Sequence, residues 1–166
     1  MNDKHRIYAR HSGVKMADRL SIPLIKHCVR TTLQMENIDT FCEVVVLITD
    51  DAGIRKLNRE FRGIDEPTDV LSFPMQEFSA PGELKSGHCA PLPDDELLAL
   101  GDIVISAERA KAQAYGYGQT IRRETAYLTV HSALHLLGYY HIDEAEDKRL
   151  MRGREKKILE QLAIND

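Results

Sequence analysis

The stretch HSALHLLGYYH, residues 131 to 141, places three histidines at its first, fifth and eleventh positions and a glycine at its eighth. It constrains the fold more than any other feature, because it asks for a helix, an abrupt helix end and a chain that turns back. Four residues turn an α-helix by about 400° and advance it by about 6 Å, so His131 and His135 lie on one face. Two imidazoles so placed can take two corners of a tetrahedral Zn²⁺ site, and Gly138 can end the helix so that the chain offers His141 as the third ligand. Three histidines leave one corner for water. That open arrangement is the catalytic type, because bound zinc lowers the pKa of its water to about 7.

A single histidine in an apolar helix is ordinarily a hydrogen-bonded core or surface residue. The spacing of the three is what points to metal, since offsets of four and ten with an intervening glycine reproduce the HxxxHxxGxxH frame that metzincin proteases write as HExxHxxGxxH. The remaining histidines, His5, His11, His27 and His88, stand in unrelated contexts and are left unassigned. A structural zinc would normally be closed by a fourth protein ligand. Cys89 is the only loop thiol in a position to supply one. Where the metzincins carry their general base, this chain has Ser132, whose hydroxyl cannot accept a proton at neutral pH, so proteolysis is disfavoured.

Composition limits the alternatives. A chain of 166 residues with 43% apolar content can bury one core, so residues 1 to 166 are expected to form a single domain. The 22 Lys and Arg against 26 Asp and Glu leave a net charge of -4, which excludes indiscriminate coating of nucleic acid and confines any such contact to a local patch. Cys28, Cys42 and Cys89 are odd in number and form no CxxC pair, which fits neither a disulfide framework nor a zinc ribbon and suggests a reducing cytoplasm. The N-terminus has no leader-like apolar core and no apolar run reaches about eighteen residues, so neither secretion nor membrane insertion is expected.

Along the chain, the first twenty residues read as a candidate edge strand or a disordered lead. A helix follows from Ser21, with Pro23 in its first turn and Ile22, Ile25, Val29 and Leu33 as its apolar stripe. CEVVVLIT, 42 to 49, reads as a strand covered on both faces. Asp50 and Asp51 cap a helix over 51 to 62 that carries Ile54, Leu57 and Phe61 on one side and Arg55, Arg59 and Arg62 on another. TDVLSFP and LGDIVIS are further strands. The intervening 76 to 99 reads as a long surface loop, rich in Pro, Gly and charge. Ser106 caps a helix that Gly116 and Gly118 break, Thr120 caps another running to about Leu137, and 143 to 163 is an amphipathic helix carrying Ala145, Leu150, Ile158, Leu159 and Leu162. The expected class is α+β, with a small mixed sheet packed by helices.

LNREFRGIDEPTDVLSFP (57 to 74), LGDIVIS (100 to 106) and HSALHLLGYYHIDEAE (131 to 146) together resemble the YbeY family of bacterial single-strand-specific, metal-dependent endoribonucleases, over about Val44 to the C-terminal helix. The resemblance implies a compact α+β fold with about four strands and a zincin-like metal site in which His131, His135 and His141 hold one Zn²⁺. It implies Arg62 as a catalytic or RNA-contacting group beside the catalytic His131. It also implies action on ribosomal RNA, notably the 3′ end of small-subunit 16S RNA, and in ribosome quality control. The partners would be single-stranded RNA and the ribosome or its small-subunit proteins, with no DNA and no membrane. The chain departs from the family at Ser132, usually Gly, and at Tyr140, which replaces an acidic residue able to support a ligand or act as a base.

The attacking group stays open, because the motif leaves no obvious general base. Asp69 and Asp102 receive no catalytic role, since hydrogen bonding at strand ends explains acidic residues there equally well. Two other readings stand beside the nuclease: a zinc peptidase, and a ribosome-associated assembly factor that uses a structural zinc and binds RNA through Arg55, Lys56, Arg59 and Arg62 without cutting it. The acidic balance makes one expectation measurable. Binding of single-stranded RNA should weaken only shallowly with salt, and a steep slope signifying many phosphate contacts would contradict a local patch.

Overall fold

The structure, a computed structural model, describes residues 5–84, 97–140 and 145–164. Strand β1 (Arg6–His11) is followed by a short 3₁₀ turn at Met16–Asp18 and helix α1 (Ile22–Met35), then β2 (Cys42–Thr49), α2 (Asp51–Arg62) and β3 (Val70–Pro74). A small hairpin, β4 (Phe78–Ala80) and β5 (Glu83–Leu84), precedes β6 (Leu98–Ser106), after which come α3 (Ala107–Tyr117), α4 (Ile121–Leu136) and α5 (Ala145–Gln161). Four strands form one mixed sheet in the order β1-β2-β6-β3. The first three run parallel, and β3 lies antiparallel on the edge beside β6. The expected α+β class and four-stranded sheet are therefore present.

Local chemistry sets the helix starts. The hydroxyls of Ser21, Ser106 and Thr120 and the carboxylate of Asp50 each accept a hydrogen bond from the backbone N–H three residues on, satisfying a donor the helix leaves orphaned. Alternation along β2 then divides the core. Val44, Val46 and Ile48 join Ile103, Ile105, α1 and α4 on one face. Leu47 joins Val104, Leu71 and Ile54 of α2 on the other, where coverage is thinner and Val45 and Leu47 stay half-buried. The expectation that β2 is covered on both faces holds with that asymmetry.

Several expectations are corrected. The first twenty residues are not among these, since they supply the edge strand that is one of their two readings: β1 pairs with β2 from Arg6 opposite Glu43 to His11 opposite Ile48. The stretch read as a surface loop contains the β4-β5 hairpin and the first residues of β6, while 85–96 lie outside the described residues. Helix α3 runs through Gly116 and stops at Gly118, whose left-handed φ of 67° closes the last turn. Phe61 is exposed and packs edge-on against Phe73 instead of entering the core. On α5 the buried stripe is Met151, Glu155, Ile158 and Leu159, with Ala145 and Leu150 facing outward. Among the described residues no helix is long and apolar enough to cross a membrane.

Strand β6 carries a bulge, for Glu43 pairs with Ala99 but Val44 with Gly101, leaving Leu100 extra. Gly101 has φ of 145°, and a Cβ there would lie 2.3 Å from the Phe73 carbonyl oxygen and 2.9 Å from Leu136 Cδ2. The bulge thus brings β6 close under both β3 and the end of α4. Gly101→Ala should lower unfolding free energy by about 3 kcal/mol, from overpacking and backbone strain together. Urea denaturation checks this, and a loss under about 0.5 kcal/mol would show that the close approach is relaxed at little cost.

Candidate functional site

His131 and His135 project from the last turns of α4 into a cleft of about 530 Å³ lined by Arg62, Asp69, Val70, Leu71, Ser72, Pro74 and Tyr140. Their Nε2 atoms are 3.1 Å apart, with the rings nearly perpendicular. Each ring is held from behind. His135 Nδ1 is 2.7 Å from the carbonyl oxygen of Tyr139, and His131 Nδ1 is 2.7 Å from Glu155 Oε1.

A carbonyl can only accept, so Nδ1 of His135 carries the hydrogen, and an ionised Glu155 imposes the same tautomer on His131. With both rings neutral, both lone pairs sit on the ε nitrogens that face each other. Such a pair repels unless something positive lies between them. Two nitrogens bound to one tetrahedral Zn²⁺ at the usual bond length are separated by about 3.3 Å, so the observed spacing fits a shared ion. Ring nitrogens that ligate metal characteristically donate their other N–H to a carboxylate or carbonyl, and both rings do so.

The turn after α4 is fixed with equal care. Gly138 has φ of 90°, and a Cβ there would stand 2.6 Å from Phe78 Cβ. The hairpin is also tied to the helix end by a hydrogen bond from Gly82 N–H to Leu137 O at 2.8 Å. Tyr139, whose carbonyl holds His135, is itself anchored, because its hydroxyl donates to Glu36 Oε2 at 2.6 Å while Arg154 donates to Glu36 Oε1. Burial, followed by the hydrogen bond to Glu36, pushes the Tyr139 phenol far up, so it stays a neutral donor. His141 lies outside the described residues. Among those described, no group of three or more His, Cys, Asp or Glu is arranged to hold a metal.

Arg62 stands apart from the arginines that share its helix. Arg55 and Arg59 pair with Asp65, at 3.0 and 3.8 Å, and hydrogen bonding to Arg55 holds the Asp65 carboxyl below its usual range. The Arg62 guanidinium instead reaches the cleft wall, donating to Ser72 O at 2.6 Å and lying 5.6 Å from the Phe73 ring centre. Of the basic stripe seen in the sequence, the two residues paired with Asp65 form the solvated face and Arg62 alone lines the histidine cleft.

Other assignments resolve individually. Asp69 lines the cleft, yet its Oδ1 accepts from Val70 N–H at 2.7 Å, the strand-end role named as its alternative. Burial holds Asp102 above its usual range, and it does not line the cleft. The Ser132 side chain is fully buried, with no hydrogen-bond partner for its hydroxyl among the described residues. Ser132 is not among the residues that line the cleft. Tyr140 is 47% exposed with its ring 6.5 Å from that of His135, so this departure leaves an aromatic wall where an acid would stand. His5 and His11 accept backbone hydrogen bonds from Cys42 and Leu20.

Sequence reasoning missed Glu155 and the Tyr139 carbonyl. A signal for Glu155 existed: it occupies a position of the α5 stripe shared by Met151, Ile158 and Leu159, where a carboxylate needs a partner. Nothing in a sequence marks which carbonyl a ring will meet.

Comparison with known proteins identifies a family. The family described as Endoribonuclease YbeY matches residues 7–163, so the likeness starts well before Val44 and includes β1 and α1. The chain is 48% identical over 141 residues to Endoribonuclease YbeY of Caldanaerobacter subterraneus subsp. tengcongensis, covering 85% of this chain and 87% of that one. It is 46% identical over 142 residues to the Roseiflexus sp. protein of the same name, covering 86% and 84%. A Thermotoga maritima protein solved in solution is 26% identical with a TM-score of 0.58, covering 94% of this chain and 87% of its own.

Gly138→Ala should cost about 3 kcal/mol by driving a methyl into Phe78 and straining a left-handed residue. Thermal melts check this, and Phe78→Ala in the same chain should recover the clash but not the backbone strain. If the double variant is no more stable than the sum of the two single losses predicts, the contact is not what requires glycine.

Proposed function

The chain belongs to the YbeY endoribonuclease family, and from that premise we propose that it is a zinc-dependent, single-strand-specific endoribonuclease acting on ribosomal RNA. Its substrate in this reading includes the 3′ end of small-subunit 16S RNA, with ribosome quality control as the wider setting and the ribosome or its small-subunit proteins as partners in the cytoplasm. The 166 residues act as one domain. The observation that carries the reading is the 3.1 Å approach of two ε nitrogens whose δ nitrogens are both engaged. His131 and His135 hold two positions of a zincin-like site, and His141 is the third ligand by its place in the motif.

Bound zinc supplies Lewis acidity toward a phosphate oxygen or a water whose pKa falls to about 7. The rest is done by side chains of the chain itself. Arg62 presents a permanently charged guanidinium to the non-bridging phosphate oxygens, and its bond to Ser72 O and seat over Phe73 pre-set its direction before substrate arrives. Positioning of this kind favours the charge that develops at phosphorus without reorganisation at the moment of reaction. Glu155 keeps His131 oriented, and the Tyr139 carbonyl does the same for His135. Ser132, buried away from the cleft, supports a nuclease over a peptidase that would need a base there.

Purified protein loaded with zinc should cut a labelled single-stranded RNA, and chelation should stop it. His135→Ala should fold but retain no stoichiometric metal and no cutting. Glu155→Gln should weaken zinc binding by about 10- to 100-fold in a competition titration. Arg62→Ala should keep its metal and cut roughly 100-fold slower, with Arg62→Lys recovering little of the loss. Wild-type rates from Arg62→Ala would remove the clamp. A metal-loaded wild type that binds RNA without ever cutting would favour the assembly-factor reading.

A further inference from the structure

The histidine cleft does not end at His131. A second cavity of about 280 Å³ shares His131 with it and is lined by Tyr127, Lys148, Met151, Arg152 and Glu155. A third, of about 440 Å³, shares Tyr127, Arg152 and Glu155 with the second and continues to Arg123, Lys156 and Ile164. Because consecutive cavities share lining residues, they adjoin along a groove between α4 and α5 that begins beside His131. Its two walls run equally far, since His131 to Arg123 on α4 and Lys148 to Lys156 on α5 are each eight residues, or about 12 Å of helix.

The charge of the groove is unlike that of the chain. Lys148, Arg152 and Lys156 recur every four residues on α5 and all line it, at intervals of about 6 Å, comparable to the step between successive phosphates of an extended single strand. Its two acids are Glu155, which is engaged with His131, and Glu160 at the far end. Arg123 frames that end, with Nη1 donating to Ile164 O at 2.9 Å. Midway, the half-buried Tyr127 lies with its ring centre 5.6 Å from that of His131, tilted by 31°. A cationic row with an aromatic surface set into it is how proteins track a single strand without reading its sequence. The competing explanation, that α5 simply has a solvated basic face, applies to Arg149 and Lys157, which are exposed one residue further round and line no part of the groove.

We propose that the groove between α4 and α5 is the track that carries one flank of the single-stranded RNA to the histidine cleft, with successive phosphates on Lys148, Arg152 and Lys156 and a base stacked on Tyr127. The proposal rests on the nuclease reading and adds where the strand lies outside the scissile phosphate. It also reconciles an acidic chain with a polyanionic substrate, because only a short row of cations is needed.

The test compares two pairs of substitutions with equal charge change and equal spacing on one helix, Lys148→Ala with Lys156→Ala and Arg149→Ala with Lys157→Ala. Zinc-loaded protein is mixed with a labelled 12-nucleotide single-stranded RNA, and anisotropy is read in the first seconds across 50 to 200 mM salt, with cleavage followed afterwards. The groove pair should bind about 10- to 30-fold more weakly near 100 mM salt and lower the salt slope by about 1.4, while the outer pair stays within about twofold of wild type. Equal losses from both pairs would reduce the effect to general charge and overturn the track. No loss from either, with cleavage retained, would overturn the track and leave the nuclease reading standing. A wild type that neither binds nor cuts the single strand would overturn both.

Discussion

Two imidazole nitrogens 3.1 Å apart, each with its partner nitrogen committed to an oxygen, are the constraint around which the rest of this molecule is arranged. The α4 helix can bring the rings to one face, but a helix leaves them free to turn about their side-chain bonds. Orientation comes from outside α4: from a carboxylate on α5 and from a carbonyl in the turn that follows. Two Nδ1 hydrogen bonds therefore convert a helical coincidence of spacing into a directed pair of lone pairs. Removing either would leave a ring in place with the wrong atom presented.

The scaffold is legible as the means of holding those two oxygens. Glu155 is 6% exposed and faces α4 because Met151, Ile158 and Leu159 bury that side of α5. The Tyr139 carbonyl is held from three directions: by the return of its own N–H to Leu134 O, by the Glu36 and Arg154 network on its side chain, and by Phe78 packed against Gly138. Glu36 is 103 positions away in sequence from Tyr139. The end of α1, the hairpin and α5 all converge on one turn, so much of the long-range packing serves one backbone oxygen.

This distribution explains what could be read from the sequence. Period and caps were visible because they are local: Ser21, Asp50, Ser106 and Thr120 each bond three residues ahead, and the alternation of β2 follows from its own residues. The histidine pair was visible for the same reason, being one helical turn of spacing. What escaped was set by partners far away. The β4-β5 hairpin lies in a Pro- and Gly-rich stretch whose composition reads as loop, and it is held by Leu137 and Gly138 rather than by strand propensity. Leu150 and Met151 exchange roles because a one-residue rotation of α5 is decided by α4, which periodicity alone cannot see.

Arg62 shows how tertiary context divides residues that sequence treats alike. Arg55, Arg59 and Arg62 recur as one basic stripe, and α2 ends at Arg62 with Gly63 in the left-handed conformation. That ending sends the chain back so that Asp65 meets Arg55 and Arg59, offsetting one charge between the two of them, and carries β3 past Arg62 so that Ser72 O and Phe73 receive its guanidinium. One αL glycine thus sorts a uniform stripe into a paired surface and a single cation aimed at the cleft. For a chain of net charge -4 this sorting matters more than the number of arginines, because the field a phosphate meets is set by which cations keep their charge uncompensated within a Debye length of about 8 Å, not by the sum over the surface.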